Sequence, residues 1–110
     1  MGIIAFYQGL DGSGKIIQTI EDSRGQNFRP GSNGEISSAK LYSVMADFMI
    51  IVYASPEGSE NEDFCIVNVK RVAPEYIVRS FERSYEDEYV VVTYVRKNGL
   101  NGKIQRIKIE

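Results

Sequence analysis

Tyr7-Gln8-Gly9-Leu10-Asp11-Gly12-Ser13-Gly14-Lys15 is the stretch on which the fold of this chain turns. It separates the apolar run Ile3 to Gln8 from Lys15 to Glu21, whose β-branched residues suit a strand better than a helix. Its glycines accept positive φ, so the chain is expected to turn back here as a hairpin. Further runs of strand character are Ser38 to Tyr42, Phe48 to Ala54, Phe64 to Val72, Tyr76 to Glu82, Tyr89 to Lys97 and Lys103 to Glu110. Asn98-Gly99-Leu100-Asn101-Gly102 predicts a second hairpin, between Val90 to Val95 and Ile104 to Ile109. Only Ser43 to Ala46 has room for one helical turn. Many short strands without helical spacers predict an all-β sandwich or barrel rather than a parallel α/β sheet.

The chain has 110 residues, enough for one compact core, so residues 1–110 are read as a single β domain. Hydrophobic residues make up 43% and charged residues 25%, the balance of a folded soluble protein rather than a disordered one. A formal net charge of −2 gives no general attraction to nucleic acid or to an anionic membrane, and neither partner is expected. Met1 to Tyr7 lacks the basic start and apolar run of a signal peptide, and the reading is cytoplasmic. A secreted protein whose signal had been removed would read the same way. The single cysteine, Cys65, lies mid-strand and is expected to pack as a small hydrophobe.

Two short matches recur in the same order in each half of the chain. Phe6-Tyr7 then Gly12-Ser13 matches Val52-Tyr53 then Gly58-Ser59, and Asn33-Gly34-Glu35-Ile36 matches Asn101-Gly102-Lys103-Ile104. The first match is displaced by 46 positions and the second by 68, so the second copy carries 22 more residues, read as a hairpin added around Tyr76 to Tyr94. These residues resemble the βγ-crystallin family, whose Greek-key motif pairs an aromatic-then-Gly hairpin with a later Asn/Asp-rich turn ending in Ser/Thr-Ser. Tyr7 to Gly14 is similar to the first element and Asn33 to Ser38 to the second. The resemblance implies a two-sheet antiparallel Greek-key sandwich with an added hairpin in the second half, motif 1 covering about residues 3–46 and motif 2 about 47–110. Three departures stand out: Gly34 for an acidic or amide residue, Glu60 for the glycine seven after Tyr53, and Gln105 for a serine.

The same resemblance implies where calcium would bind. Calcium takes about 6–8 oxygen ligands, and carbonyls and hydroxyls qualify. Carried over, the better position would use the Glu35 carbonyl and Ser37 hydroxyl with the Ala54 carbonyl, and the degenerate one Lys103, Gln105 and Gln8. Gly34 and Gly102 each remove a side-chain oxygen, and Lys103 adds a charge that opposes a dication. Calcium binding is therefore expected to be weak or lost at the first position and lost at the second. The plainer alternative is that both Asn-Gly pairs are turn residues and bind nothing.

Enzymatic chemistry has little to stand on, because the chain has no histidine and no spacing nominates another base; a non-enzymatic module is expected. Gly9 to Lys15 also satisfies Gly-x-x-x-x-Gly-Lys and looks like the phosphate loop of nucleoside monophosphate kinases. Ile16 stands where such a loop needs Ser or Thr, and the β-branched run that follows favours a strand over the required helix. Nucleotide binding is the third reading, behind a second one in which the chain is a small protein-binding module of inhibitor or immunity type. That module would act through the 76–94 hairpin and its acidic flank, with Tyr85, Glu86, Asp87 and Glu88 as the contact residues and Tyr85 exposed. Alternating Lys103, Arg106 and Lys108 on the last strand would guard a sheet edge, and a monomer or weak dimer is expected.

Overall fold

Residues 2–30 and 35–110 are described by the computed structural model. The strands are β1 (Ile3–Tyr7), β2 (Ile16–Glu21), β3 (Gln26–Phe28), β4 (Ser38–Tyr42), β5 (Met49–Tyr53), β6 (Phe64–Val69), β7 (Tyr76–Val78), β8 (Tyr85–Glu86), β9 (Val90–Val95) and β10 (Arg106–Ile109). One sheet has the order β2-β1-β4-β7 and the other β3-β10-β5-β6-β9-β8. Every pairing is antiparallel, and the molecule is a two-sheet β sandwich. The inner faces interdigitate around Phe6, Phe81, Ile4, Ile36, Leu100 and Ile107, all fully buried.

The connectivity repeats. In the first half β2-β1-β4 are neighbours and β3 leaves to pair with β10; in the second β6-β5-β10 are neighbours and β7 leaves to pair with β4. Each half thus lends its third strand to the other's sheet. The hydrogen bonds repeat as well: Ser37 N–H donates to the Tyr7 carbonyl at 2.9 Å and Gln105 N–H to the Tyr53 carbonyl at 2.8 Å. So do the cation–π contacts, with Lys40 Nζ 5.2 Å from the Tyr7 ring centroid and Lys108 Nζ 5.1 Å from that of Tyr53.

The glycines matched between the two halves of the sequence, Gly12 and Gly58, are equivalent in the structure. Gly12 and Gly58 both sit in the left-handed region, at φ 66° and 75°, and a Cβ on either would meet the stem of the equivalent lysine, Lys40 Cε at 2.7 Å or Lys108 Cε at 3.1 Å. Gly14, at φ 78°, has no such counterpart: Glu60 stands seven after Tyr53 and does not adopt positive φ. A residue at the head of the closing strand ties down each hairpin loop. Ser38 Oγ accepts from Gly12 N–H at 2.8 Å and donates to the Gly9 carbonyl at 2.6 Å, while Arg106 Nε donates to the Pro56 carbonyl at 2.7 Å. Ser38 is fully buried, so Ser38→Ala leaves the Gly12 donor without its partner. The expected loss is about 2 kcal/mol of unfolding free energy, measured by urea titration.

Several expectations need correction. Asn98 to Gly102 makes no hairpin: β9 and β10 share a sheet but are separated by β5 and β6, and the connection carries the buried Leu100 across the sandwich. The added hairpin is β8–β9, which extends the second sheet beyond β6, whereas Tyr76–Val78 is the exchanged strand β7. The last strand is not an edge; β10 lies between β3 and β5, and Arg106 and Lys108 serve the second hairpin instead of guarding against edge pairing. Residues 43–46 hold no helical turn, because Ser43 and Asp47 adopt positive φ, 55° and 72°. Strands β3 and β8, three and two residues long, are too short to show alternation in the sequence.

Candidate functional site

Two of the turns expected around calcium meet in the structure. Gly102 N–H donates to the Ile36 carbonyl at 2.9 Å, which joins the turn before β4 to the turn before β10. Gln8 Nε2 reaches Glu35 Oε2 at 3.4 Å, so Gln8, expected with Lys103 and Gln105, lies instead beside a residue of the first position. Among the described residues the carbonyls of Glu35 and Ala54 accept no backbone hydrogen bond. Ser37 is half-buried, with its N–H used by Tyr7. Asn33 and Gly34 lie outside the described residues.

The equivalent second position is differently furnished. Arg29 Nη2 donates to Gln105 Oε1 at 2.9 Å and brings a guanidinium beside this residue of the expected second position. Asn101 is held by the insertion: its Oδ1 accepts from Phe81 N–H at 3.2 Å and its Nδ2 donates to Ser80 Oγ at 2.8 Å. Glu82 Oε2 accepts from Leu100 N–H at 2.8 Å and Asn101 N–H at 2.6 Å. Among the described residues no three or more His, Cys, Asp or Glu side chains gather in a metal-holding group.

The acidic flank of the added hairpin is exposed, but each of its side chains has a partner within the molecule. Lys70 Nζ pairs with Glu86 Oε2 at 2.7 Å, and Arg71 pairs with Glu88. Asp87 is the most engaged: Oδ2 accepts from Tyr76 Oη at 2.6 Å, and Oδ1 accepts from Tyr89 N–H at 2.8 Å and Val90 N–H at 2.9 Å. Burial opposes the charge on Asp87, but these hydrogen bonds and Lys70 outweigh it and hold the carboxyl below its ordinary range. Tyr85 is not exposed as expected. It is half-buried against the core, with its hydroxyl 2.7 Å from that of Tyr76.

Beside this pair of tyrosines lies a cleft of about 650 Å³ that sequence reasoning did not find. It opens between β7 and β8, the terminal strands of the two sheets, and its walls include Tyr76, Ile77, Tyr85, the cations Arg79 and Arg83 and the acids Glu75 and Asp87. The exchanged strand and the inserted hairpin build it together, and neither the exchange nor the pairing of β8 is visible locally in the sequence.

The remaining reactive groups are structural. Cys65 is fully buried, and burial pushes its thiol up to about 12, which leaves it protonated and inert. Lys15, expected in a phosphate loop, is exposed and leads into β2 rather than a helix; the only helical residues between the first strands are the three-residue 3-10 turn Leu10–Gly12. No family model, curated protein or solved structure matches this chain.

Proposed function

We propose that this chain is a non-enzymatic module of βγ-crystallin type that retains one weak calcium position, at Glu35, Ser37 and Ala54, and has lost the other. The observation that carries the reading is the reciprocal exchange of third strands, which brings the turns before β4 and β10 into contact through the Ile36–Gly102 bond. It is supported by the matched Tyr7–Lys40 and Tyr53–Lys108 pairs. At the first position two carbonyls and a hydroxyl suit a hard cation but bring little charge, so affinity is low. At the second, Arg29 and Lys103 oppose an ion and no calcium binds.

Isothermal titration with calcium beside a chelator-treated thermal melt tests this. One weak site and a lower melting temperature without calcium are expected, because an ion that binds only the folded state stabilises it by mass action. Ser37→Ala removes both the heat and the calcium-dependent shift, whereas Gln105→Ala changes neither. Absence of heat together with identical melts discards the calcium position.

A second reading, a protein-binding module acting through the added hairpin, keeps one observation in its favour. The β8–β9 hairpin has no counterpart in the first half, and β8 ends its sheet with an open edge. Charge reversal at Glu86, Asp87 and Glu88 tests it poorly, since it would break the Lys70, Tyr76 and Arg71 contacts as well.

A further inference from the structure

We propose that the cleft between β7 and the β8–β9 hairpin is a binding site for an oxyanion, a carboxylate or phosphate carried on a small ligand, gripped by Arg79 and Arg83. The inference does not depend on the calcium position, which involves other residues.

A volume of about 650 Å³ lies within the roughly 300–1,000 Å³ of small-ligand sites. The two arginines enter its wall four residues apart on the segment joining β7 to β8, and both are exposed. Arg83 makes no ion pair among the described residues. Arg79 has only a loose contact to Asp11, at 3.4 Å and with both side chains about 60% exposed. Such a pair contributes little and releases its guanidinium readily to a better acceptor.

Two carboxylates, Asp87 and Glu75, share the cleft wall with the arginines, and each has another partner. Both Asp87 oxygens are filled by internal donors, and Glu75 faces Lys40 at 3.9 Å. The cleft therefore offers planar guanidinium forks, which match the two oxygens of a carboxylate or phosphate. The half-buried rings of Tyr76 and Tyr85 and the Ile77 side chain give an apolar wall for the body of the ligand. Glu86, Asp87 and Glu88 remain exposed but are engaged by Lys70, Tyr76 and Arg71, whereas Arg83 has no ion pair among the described residues.

The test is a titration of the isotope-labelled protein followed by NMR, with inorganic phosphate in one arm, glutarate in a second and trilysine in a third. Saturable shifts are expected at the amides of residues 76–79 and 83–87 with phosphate or glutarate, and none there with trilysine; the tighter anion identifies the headgroup. The Arg79→Gln/Arg83→Gln double variant is expected to lower affinity at least tenfold with an unchanged melt. Should the double variant melt early, Arg83→Gln alone is compared with Arg83→Lys, which keeps the charge and loses the fork, and an intermediate affinity is expected for the lysine. Shifts absent with both anions, shifts at these amides with trilysine alone, or anion binding undiminished in Arg83→Gln overturns the proposal.

Discussion

Asp63→Ala is expected to lower the unfolding free energy by about 3–5 kcal/mol, measured by urea titration. The carboxylate is 1% exposed and accepts from Tyr94 Oη at 2.6 Å, Asn98 N–H at 2.6 Å and Gly99 N–H at 2.9 Å. Truncation leaves all three donors without partners, at about 1–3 kcal/mol each before water reaches them. It also frees the segment that carries the chain from β9 across to β10. Asp63→Asn keeps an acceptor but turns an amide toward one of the N–H groups, and is expected to lose somewhat less.

The same residue sets an acid limb. Burial alone would raise the Asp63 carboxyl, yet the hydrogen bonds from Tyr94 and from the N–H groups of Asn98, Lys97 and Gly99 outweigh it and hold it well below the usual carboxylate range. A carboxyl that is more acidic when folded than when unfolded binds protons preferentially in the unfolded state. Its stabilisation is therefore fully present above about pH 4, the unfolded value, and is lost as pH falls toward the lower folded one. In the alanine variant the fall in stability below about pH 4 is expected to be shallower than in the parent.

Phe81→Ala is the second large effect, also about 3–5 kcal/mol, from lost burial and the cavity it leaves. Phe81 lies between β7 and β8, where the sequence reads as the start of an insertion, yet its ring is fully buried in the main core. Its N–H is tied to Asn101, so the root of the added hairpin and the turn before β10 are one structure. Phe81→Leu conserves more of the volume and is expected to cost less than about 2 kcal/mol. Equal losses for the two variants would mean that the ring's shape, rather than its bulk, is what the core requires.

Much of the sandwich is legible because its central strands are unbroken apolar runs: Ile3–Tyr7 and Met49–Tyr53 are each buried at four consecutive positions, while Phe64–Val69 buries alternate residues. The paired displacements of 46 and 68 positions were also legible, and Lys40 and Lys108 sit at the second of them. What escaped was non-local. β3 is three residues, Gln26–Phe28, and becomes a strand because β10 offers it an edge. Asn98 to Gly102 has hairpin chemistry, but Asp63 and Glu82 bind its N–H groups from elsewhere in the chain, and β10 pairs with β5. The cleft escaped for the same reason, since its walls come from the ends of two sheets whose order the local sequence does not encode. Glu86 and Glu88 read as a free acidic surface because their partners, Lys70 and Arg71, are 16 and 17 positions away.

The contact between the two turns and the walls of the cleft both require that each half give its third strand to the other. Cross-strand nuclear Overhauser effects in solution measure this directly. Contacts between Asn27 and Lys108 and between Lys40 and Ile77, which face each other in the β3–β10 and β4–β7 pairs, are the expected result. Contacts that instead pair β3 with β2 or β4 and β7 with β6, each strand remaining in its own half, would contradict the account.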